Sequence, residues 1–169
     1  MQNVFSRLTR AWLLTAVLDG LFSSTLSRFA YGSTVTRLWQ GVASVPLGPS
    51  ALDGGIRTAL VGVGIHFCVA LGWSVVFLVV YSNIGAIERF TASRAGLLAT
   101  AAAYGPIVWM MMSLVLIPRY THRPPAINYR WWVQWFGQMV FVGLPIVTSI
   151  AGEGRALRPR HRAPQASPA

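Results

Sequence analysis

The sequence predicts an all-α integral membrane protein, built as a bundle of four transmembrane helices. Of its 169 residues, 54% are hydrophobic and only 11% are charged, whereas soluble domains carry about 25% charged residues. Apolar segments close to the roughly 20 residues that a helix needs to cross a bilayer recur along the chain. No segment shows the period-two alternation of a membrane β-barrel strand. Together these observations exclude an ordinary soluble globule and a disordered chain.

The four predicted spans differ in how apolar they are. They cover residues 11–31, 58–82, 95–118 and 131–152. The last three contain no Asp, Glu or Arg and show no polar stripe at the helical period, so they should be apolar all round. The first is the weakest, because Asp19 and Arg28 interrupt it. A cleaved signal peptide is the alternative for this segment, although Asp19 and the missing A-x-A-like cleavage pattern argue against it.

The distribution of arginine predicts the orientation in the membrane. All fourteen basic residues are arginine. Four spans place both chain ends on one side, and that side holds eight arginines against six on the other. Because positive charge is retained on the cytoplasmic side, we expect a bacterial inner-membrane protein with both termini in the cytoplasm. Trp and Tyr residues near the predicted helix ends fit the aromatic belt of such a protein.

The loop between the first two spans, residues 32–56, contains a further helical pattern. Its apolar residues approximate one face of a helix: Val35, Leu38, Trp39, Val42 and Val45. We interpret residues 34–45 as a short amphipathic helix lying on the membrane surface, with a plain connecting loop as the alternative. Residues 50–55 should then turn the chain into the second span.

Residues 153–169 form a basic tail rich in Arg, Pro and Ala, which we expect to be disordered and cytoplasmic. Its arginines should contact anionic lipid or protein subunits: Arg155, Arg158, Arg160 and Arg162. Nucleic acid is not expected as a partner, because no nucleic-acid-binding domain accompanies the tail. The chain therefore divides into a transmembrane domain, residues 1–152, and this tail. Its expected partners are the bilayer and either other subunits or copies of itself.

Four side chains inside the predicted spans are the candidate functional residues: Asp19, His66, Trp109 and Gln138. At 1.5 Å per residue, Asp19 lies about 12 Å from the cytoplasmic end of its span, and His66 about 13 Å from the outer end of its own. These levels nearly coincide in a core of about 30 Å, so a hydrogen bond between Asp19 and His66 is our hypothesis. Gln138 and Trp109 also lie at similar depths, so we expect them to be in contact, with the indole as donor.

Small residues predict where the helices approach closely. Gly62 and Ala70 lie on the same face of the second span as His66, and Gly105 lies on a similar face of the third. Pro106 and Pro145 lie inside spans and should kink or locally open those helices.

No CxxC, HExxH, GxGxxG or P-loop pattern is present, so we predict neither an enzyme nor a metal site. We expect no cofactor. Ligation of a haem or pigment by His66 alone is the alternative, since the other histidines, His122 and His161, lie outside the spans. Cys68, the single cysteine, should be a small buried hydrophobe.

From the second span onward the chain resembles the YagU-like bacterial inner-membrane proteins, small multi-helix proteins without an established activity. The resemblance rests on GIHFCVA at residues 64–70, GLLATAAAYGPIVW at 96–109 and WFGQMVFVGLP at 135–145, with LWQGVASVPLG at 38–48 before them. It implies a histidine in the second helix, which His66 matches. It also implies polar or histidine residues in the third and fourth helices, where Trp109 and Gln138 stand instead. These departures weaken the idea of a histidine-lined path for protons or metal ions.

Two classes of function follow from these features. The first is a structural or accessory subunit of a larger membrane complex, for example a respiratory or photosynthetic one. Small size, the lack of a catalytic motif and the basic tail favour it. The alternative is a small channel or proton-linked transporter that uses Asp19 and His66. An intramembrane enzyme ranks third, because no nucleophile–base pair is visible.

Overall fold

The computed structural model describes residues 4–152, and this part of the chain folds into helices joined by short connections. In chain order these are α1 (Val4–Thr25, continued by a π-helical turn, Leu26–Ala30), α2 (Val35–Leu47), α3 (Gly55–Asn83), α4 (Gly85–Thr91), α5 (Arg94–Thr121) and α6 (Tyr129–Gly152). A 3₁₀ turn, Pro49–Asp53, joins α2 to α3. The predicted all-α class is confirmed for the described residues. The basic tail and its four arginines lie outside them.

Three helices are long and apolar enough to cross a membrane, namely α3, α5 and α6. They contain the predicted spans at residues 58–82, 95–118 and 131–152. Helix α1 is 22 residues long but is not one of these three, because it has a polar face. Leu14, Val17 and Leu21 are exposed on its outside, whereas Thr15 and Asp19 point to a cavity within the bundle.

The helix ends have local causes in the sequence. Side-chain oxygens of Thr34, Ser93 and Asn128 accept backbone N–H groups in the first turns of α2, α5 and α6, which would otherwise lack partners. Helix α5 ends at Thr121, and the next residue, His122, has a left-handed φ of 54°. Pro124 and Pro125 follow, and residues 123–127 are non-helical.

One half of the bundle is tightly packed around an apolar core. This half contains the start of α1, the end of α3, the start of α5 and the end of α6. Its central side chains are almost completely buried: Phe77, Ala101, Ile146, Val147 and Ile150. A Cβ at Gly105 would overlap the carbonyl of Gln138, so the predicted close approach at this glycine is confirmed. The hydroxyl of Tyr104 donates to the carbonyl of Trp73 at 2.7 Å and joins α5 to α3.

Helix α2 packs onto the bundle at its other end, where it contacts α1, the first turns of α3 and the end of α5. The backbones of α2 and α3 touch at Gly62, where a Cβ would overlap the carbonyl of Trp39. Gln40, which is buried, donates from Nε2 to the carbonyl of Gly55 at 3.0 Å. The helix predicted over residues 34–45 is therefore confirmed and the plain loop is wrong, while its place on the membrane surface stays a prediction. The helix forms one wall of a cavity.

Two further predictions concern α3, α5 and α6. The prediction that Cys68 is buried is wrong: its side chain is exposed on the outside of α3, because Gly62 and Ala70 occupy the inward face of that helix. The helices continue through Pro106 and Pro145, with π-helical turns close to both prolines, at Met111–Leu116, Met139–Gly143 and Thr148–Gly152. The chain therefore opens locally near the prolines without ending the helices.

Candidate ligand cavity

A cavity of about 980 Å³ lies between α1, α2, α3, α5 and α6. Two of its walls are polar and come from residues spaced four apart on one helical face. On α1, the π-helical turn that continues it and the residue after that turn, these are Thr15, Asp19, Ser23, Ser27 and Tyr31. On α6 they are Arg130, Gln134 and Gln138. Because residues four apart share a face of a helix, each stripe is continuous along the cavity.

The opposing walls are mainly apolar and aromatic. Helix α3 contributes Ile65, Val69, Trp73 and Val76, and α5 contributes Val108, Met112, Leu116 and Tyr120. Helix α2 closes the side between them with Leu38, Trp39, Val42 and Val45. The apolar residues from which α2 was predicted therefore lie mostly on the cavity wall. Polar walls opposite apolar ones suit a molecule with both kinds of surface.

The cavity occupies the half of the bundle that the apolar core leaves free. Two of its lining residues, Val108 and Val142, also belong to that core. Its other end reaches Arg37, Tyr120 and the first turn of α6, which all lie at the end of the bundle that α2 covers. Since α5 ends and α6 begins there, this is the side that the arginine distribution predicts to be outside.

Asp19 and Gln138 meet inside the cavity. The Nε2 of Gln138 donates to Oδ1 of Asp19 at 3.0 Å, which joins α6 to α1. Gln138 is 4% exposed, so this hydrogen bond is shielded from bulk solvent. Among the described residues, Asp19 is the only acidic side chain on the cavity wall.

His66 lies next to Asp19 but is not hydrogen-bonded to it, so the hypothesis of an Asp19–His66 hydrogen bond is wrong. The Nε2 of His66 lies 2.9 Å from the carbonyl of Ala16 and therefore donates, because a carbonyl only accepts. Both His66 and Trp39 pack beside Gly20 of α1, where a Cβ would lie 3.5 Å from each ring. The imidazole and indole rings lie with centroids 5.2 Å apart.

Trp109 does not donate to Gln138, so the expected hydrogen bond between these two residues is also wrong. Both still line the cavity. The indole of Trp109 packs near Trp131, with ring centroids 6.4 Å apart. Trp131 in turn donates from Nε1 to Oγ of Ser113 at 2.9 Å, which ties the start of α6 to α5. The amide of Gln138 is instead used by Asp19.

Several buried polar atoms around the cavity have no hydrogen-bond partner within residues 4–152: Thr15 Oγ1, Tyr31 OH, Trp109 Nε1 and Gln134 Oε1. All four residues belong to the cavity wall. Buried polar groups in proteins are nearly always hydrogen-bonded, since an unsatisfied one costs about 1–3 kcal/mol. Their concentration at one site indicates that the cavity is used by water or by a ligand.

A stack of aromatic and guanidinium groups stands at the outer end of the cavity. The guanidinium carbon of Arg130 lies 4.6 Å from the ring centroid of Tyr31 and 5.7 Å from that of Tyr129. This contact connects the end of α1 to the start of α6. The Nη1 of Arg37 donates to the carbonyl of Leu52 at 2.7 Å, so this arginine is held toward the 3₁₀ turn.

All four candidate residues, Asp19, His66, Trp109 and Gln138, therefore meet at one cavity, although in different pairs from those predicted. Sequence reasoning did not recognise that the polar residues of α1 form one continuous stripe. The signal for it was the interval of four residues from Asp19 to Ser23 and from Ser23 to Ser27. No group of three His, Cys, Asp or Glu side chains that could hold a metal ion lies within residues 4–152. Comparison of the chain with family models, with curated proteins and with solved structures finds no match.

Proposed function

We propose that the chain is a non-enzymatic multi-pass membrane protein that binds a small amphipathic molecule in this cavity, as a small transporter. The observation that carries the proposal is the pair of polar stripes on α1 and α6, which face apolar walls across one cavity. Ligand sites are concave, largely apolar and provided with a few convergent polar groups, as this cavity is.

The energetics of polar groups in a membrane support a bound polar partner. Serine and threonine can satisfy themselves by bonding to their own helix, as Ser74 does with the carbonyl of Ala70. Thr15 has no such bond among the described residues, and Asp19 accepts a hydrogen bond from Gln138 of another helix. Ionisable side chains at this depth are costly unless they face partners or water, so they mark pathways for substrates or protons.

The accessory-subunit role stays a prediction, and the cavity favours the transporter alternative over it. A subunit that serves only as a packing surface needs no cavity of about 980 Å³ that carries a polar stripe on each of two helices. Gentle solubilisation followed by native mass measurement separates the two roles. Stable, stoichiometric association with other proteins supports the subunit, whereas a monomer or homo-oligomer supports the transporter. The resemblance to YagU-like proteins also stays a prediction, and it carries no activity.

We also propose that α1 is a fourth span in a bacterial inner membrane, with both termini in the cytoplasm. At 1.5 Å per residue, its 22 α-helical residues cover about 33 Å, enough for the hydrocarbon core. In the middle of the helix, Leu14, Val17 and Leu21 are exposed, while Thr15 and Asp19 line the cavity, so this part would present apolar side chains to lipid. The face toward the cavity lowers the average hydropathy of α1.

The non-enzymatic part of the proposal rests on the pairing of the polar side chains. The imidazole Nε2 of His66 is used by the carbonyl of Ala16, and the carboxylate of Asp19 accepts from an amide. Neither residue is paired with a hydroxyl or thiol nucleophile in the way covalent catalysis requires. These contacts instead suit reversible binding, with no cofactor needed.

Two glycines on α3 provide a matched test of binding in the cavity. Gly72 lines the cavity, and a Cβ built on it meets no atom within 4 Å, so a larger side chain there would fill free space. Gly64, two turns earlier, also has free space around its Cβ position but is not on the cavity wall. Gly72→Phe should therefore fill the cavity, whereas Gly64→Phe should leave it open.

The measurement is equilibrium dialysis of three probes of nearly equal shape against the full chain in lipid nanodiscs, with empty nanodiscs as the baseline. The probes are tetraphenylphosphonium, tetraphenylborate and the uncharged tetraphenylmethane. We expect at least one probe to bind saturably to the wild type and to Gly64→Phe, and to lose this binding in Gly72→Phe. The proposal is wrong if no probe binds above the baseline, or if Gly72→Phe binds as the wild type does.

A further inference from the structure

We propose that the molecule bound in the cavity is a hydrophobic organic cation, and that the carboxylate of Asp19 holds its positive charge. This inference rests on the proposed function and names the ligand class for the same site. It follows from the charge at the deep end of the cavity, from the rings around it and from the position of the nearby arginines.

The carboxylate of Asp19 has capacity for a further partner. A carboxylate offers about four lone-pair sites, and the Gln138 amide donates to one oxygen. In the described part of the chain, no arginine forms a hydrogen bond or ion pair with Asp19. His66 lines the same cavity, and its Nε2 proton is directed to the carbonyl of Ala16 on α1. A cationic ligand would supply the charge that the protein itself does not.

The rest of the wall suits the body of such a ligand. Five aromatic side chains line the cavity: Tyr31, Trp39, Trp73, Trp109 and Tyr120. Aromatic faces attract cations, most strongly where water is excluded. The aliphatic residues of α3 and α5 provide apolar contact on the side opposite Asp19. A delocalised cation with aryl or alkyl groups gains from both surfaces at once.

The arginines on the wall do not favour an anion at the deep end. Arg130 lies eight residues before Gln138, about 12 Å along α6, and its guanidinium stacks on Tyr31 at the outer end. Arg37 is exposed and donates to the carbonyl of Leu52. An anion would meet these two groups near solvent, where salt screens them, and would meet the carboxylate of Asp19 on going deeper. The cavity is therefore polarised to hold positive charge inside.

The test compares charge variants of two acidic residues with the same three probes in the same nanodiscs. Asp19→Asn removes the charge and keeps the shape, and Asp19→Glu keeps the charge. Asp53→Asn is the matched control, because Asp53 is exposed in the 3₁₀ turn and does not line the cavity. Each variant is first checked for a monodisperse profile and for wild-type thermal stability. If Asp19→Asn fails this check, Asp19→Ser takes its place.

We expect tetraphenylphosphonium to bind at least about tenfold more tightly than tetraphenylmethane or tetraphenylborate, and Asp19→Asn to remove this preference. Tenfold corresponds to about 1.4 kcal/mol, a modest value for a charge pair away from bulk water. Asp19→Glu and Asp53→Asn should keep it. Tighter binding of the anion or the neutral probe overturns the inference and leaves the proposed function standing. So does cation binding that survives Asp19→Asn. Absence of binding by every probe overturns both.

Discussion

The amide of Gln138 donates to the carboxylate of Asp19 at 3.0 Å, across 119 positions of sequence. This bond joins the first and last long helices at the cavity wall. We expect the pair to be energetically coupled. In a double-mutant cycle of Asp19→Leu and Gln138→Leu, the coupling should be about 1 kcal/mol, within the range found for hydrogen bonds between membrane helices.

The cycle is measured by reversible unfolding of the detergent-solubilised chain. Each single change leaves a buried polar group without its partner. The destabilisations of the two single variants should therefore add up to more than the destabilisation of the double variant. Additive effects within about 0.3 kcal/mol would show that the two side chains do not interact. A cycle of Asp53→Leu with Gln138→Leu serves as the additive control, since Asp53 lies in the exposed 3₁₀ turn.

A second matched pair tests how α2 is seated on α3. A Cβ at Gly62 would overlap the carbonyl of Trp39, whereas a Cβ at Gly64 meets nothing within 4 Å. Gly62→Ala should push α2 away and destabilise the chain by about 1–3 kcal/mol, as overpacking does. Gly64→Ala should be neutral or stabilising by up to about 1 kcal/mol, because alanine favours helix over glycine. Equal thermal stabilities of the two variants would contradict this packing.

The number of spans fixes the relation between the two chain ends. If α1 crosses the membrane together with α3, α5 and α6, the termini lie on the same side, and the arginine bias places them in the cytoplasm. Reporters active only in the cytoplasm or only in the periplasm, fused in turn to each end, should both report the cytoplasm. Ends on opposite sides would show that three helices cross and that α1 does not.

The arginine at the outer end of the cavity should affect the rate at which a cation enters more than the final affinity. Arg130 lies about 12 Å along α6 from the residue that bonds Asp19, so its repulsion acts on approach. Arg130→Gln should raise the association rate of tetraphenylphosphonium several-fold at low salt, and the gain should shrink as salt increases. Arg119→Gln, an exposed change away from the cavity wall, is the control. Stopped-flow tryptophan fluorescence measures the rate, and equal rates for the wild type and Arg130→Gln would contradict the prediction.

Sequence patterns predicted the elements of this fold better than their contacts. Long apolar segments are decisive for α3, α5 and α6, because the bilayer demands length and apolarity from any spanning helix. The same reasoning selected Asp19, His66, Trp109 and Gln138, which do meet at one cavity. Depth along a helix cannot show which way a side chain points around its axis, and this is why the expected pairs were exchanged.

Two details of packing were beyond such patterns. His66 donates to the carbonyl of Ala16, with its ring packed beside Gly20, and predicting this contact requires the rotation of both helices to be known. Cys68 is exposed because it lies on the outer face of α3, although an apolar span gives no polar stripe from which to read its orientation. The helical pattern of residues 34–45 was visible, but its role as a wall of the cavity depends on the approach of Trp39 to Gly62.

The central claim is that the bundle contains a ligand-accessible cavity whose wall includes the polar stripe of α1. Cysteine accessibility tests it most directly in a chain whose own cysteine has been removed by Cys68→Ser. Ser23→Cys places a thiol on the cavity wall, whereas Leu21→Cys places one on the outward surface of the same helix. Only a thiol that can ionise in water reacts with a membrane-impermeant maleimide.

Ser23→Cys should be labelled, Leu21→Cys should not, and tetraphenylphosphonium should protect Ser23→Cys. Labelling of Leu21→Cys in place of Ser23→Cys, or labelling of neither, would contradict the claim.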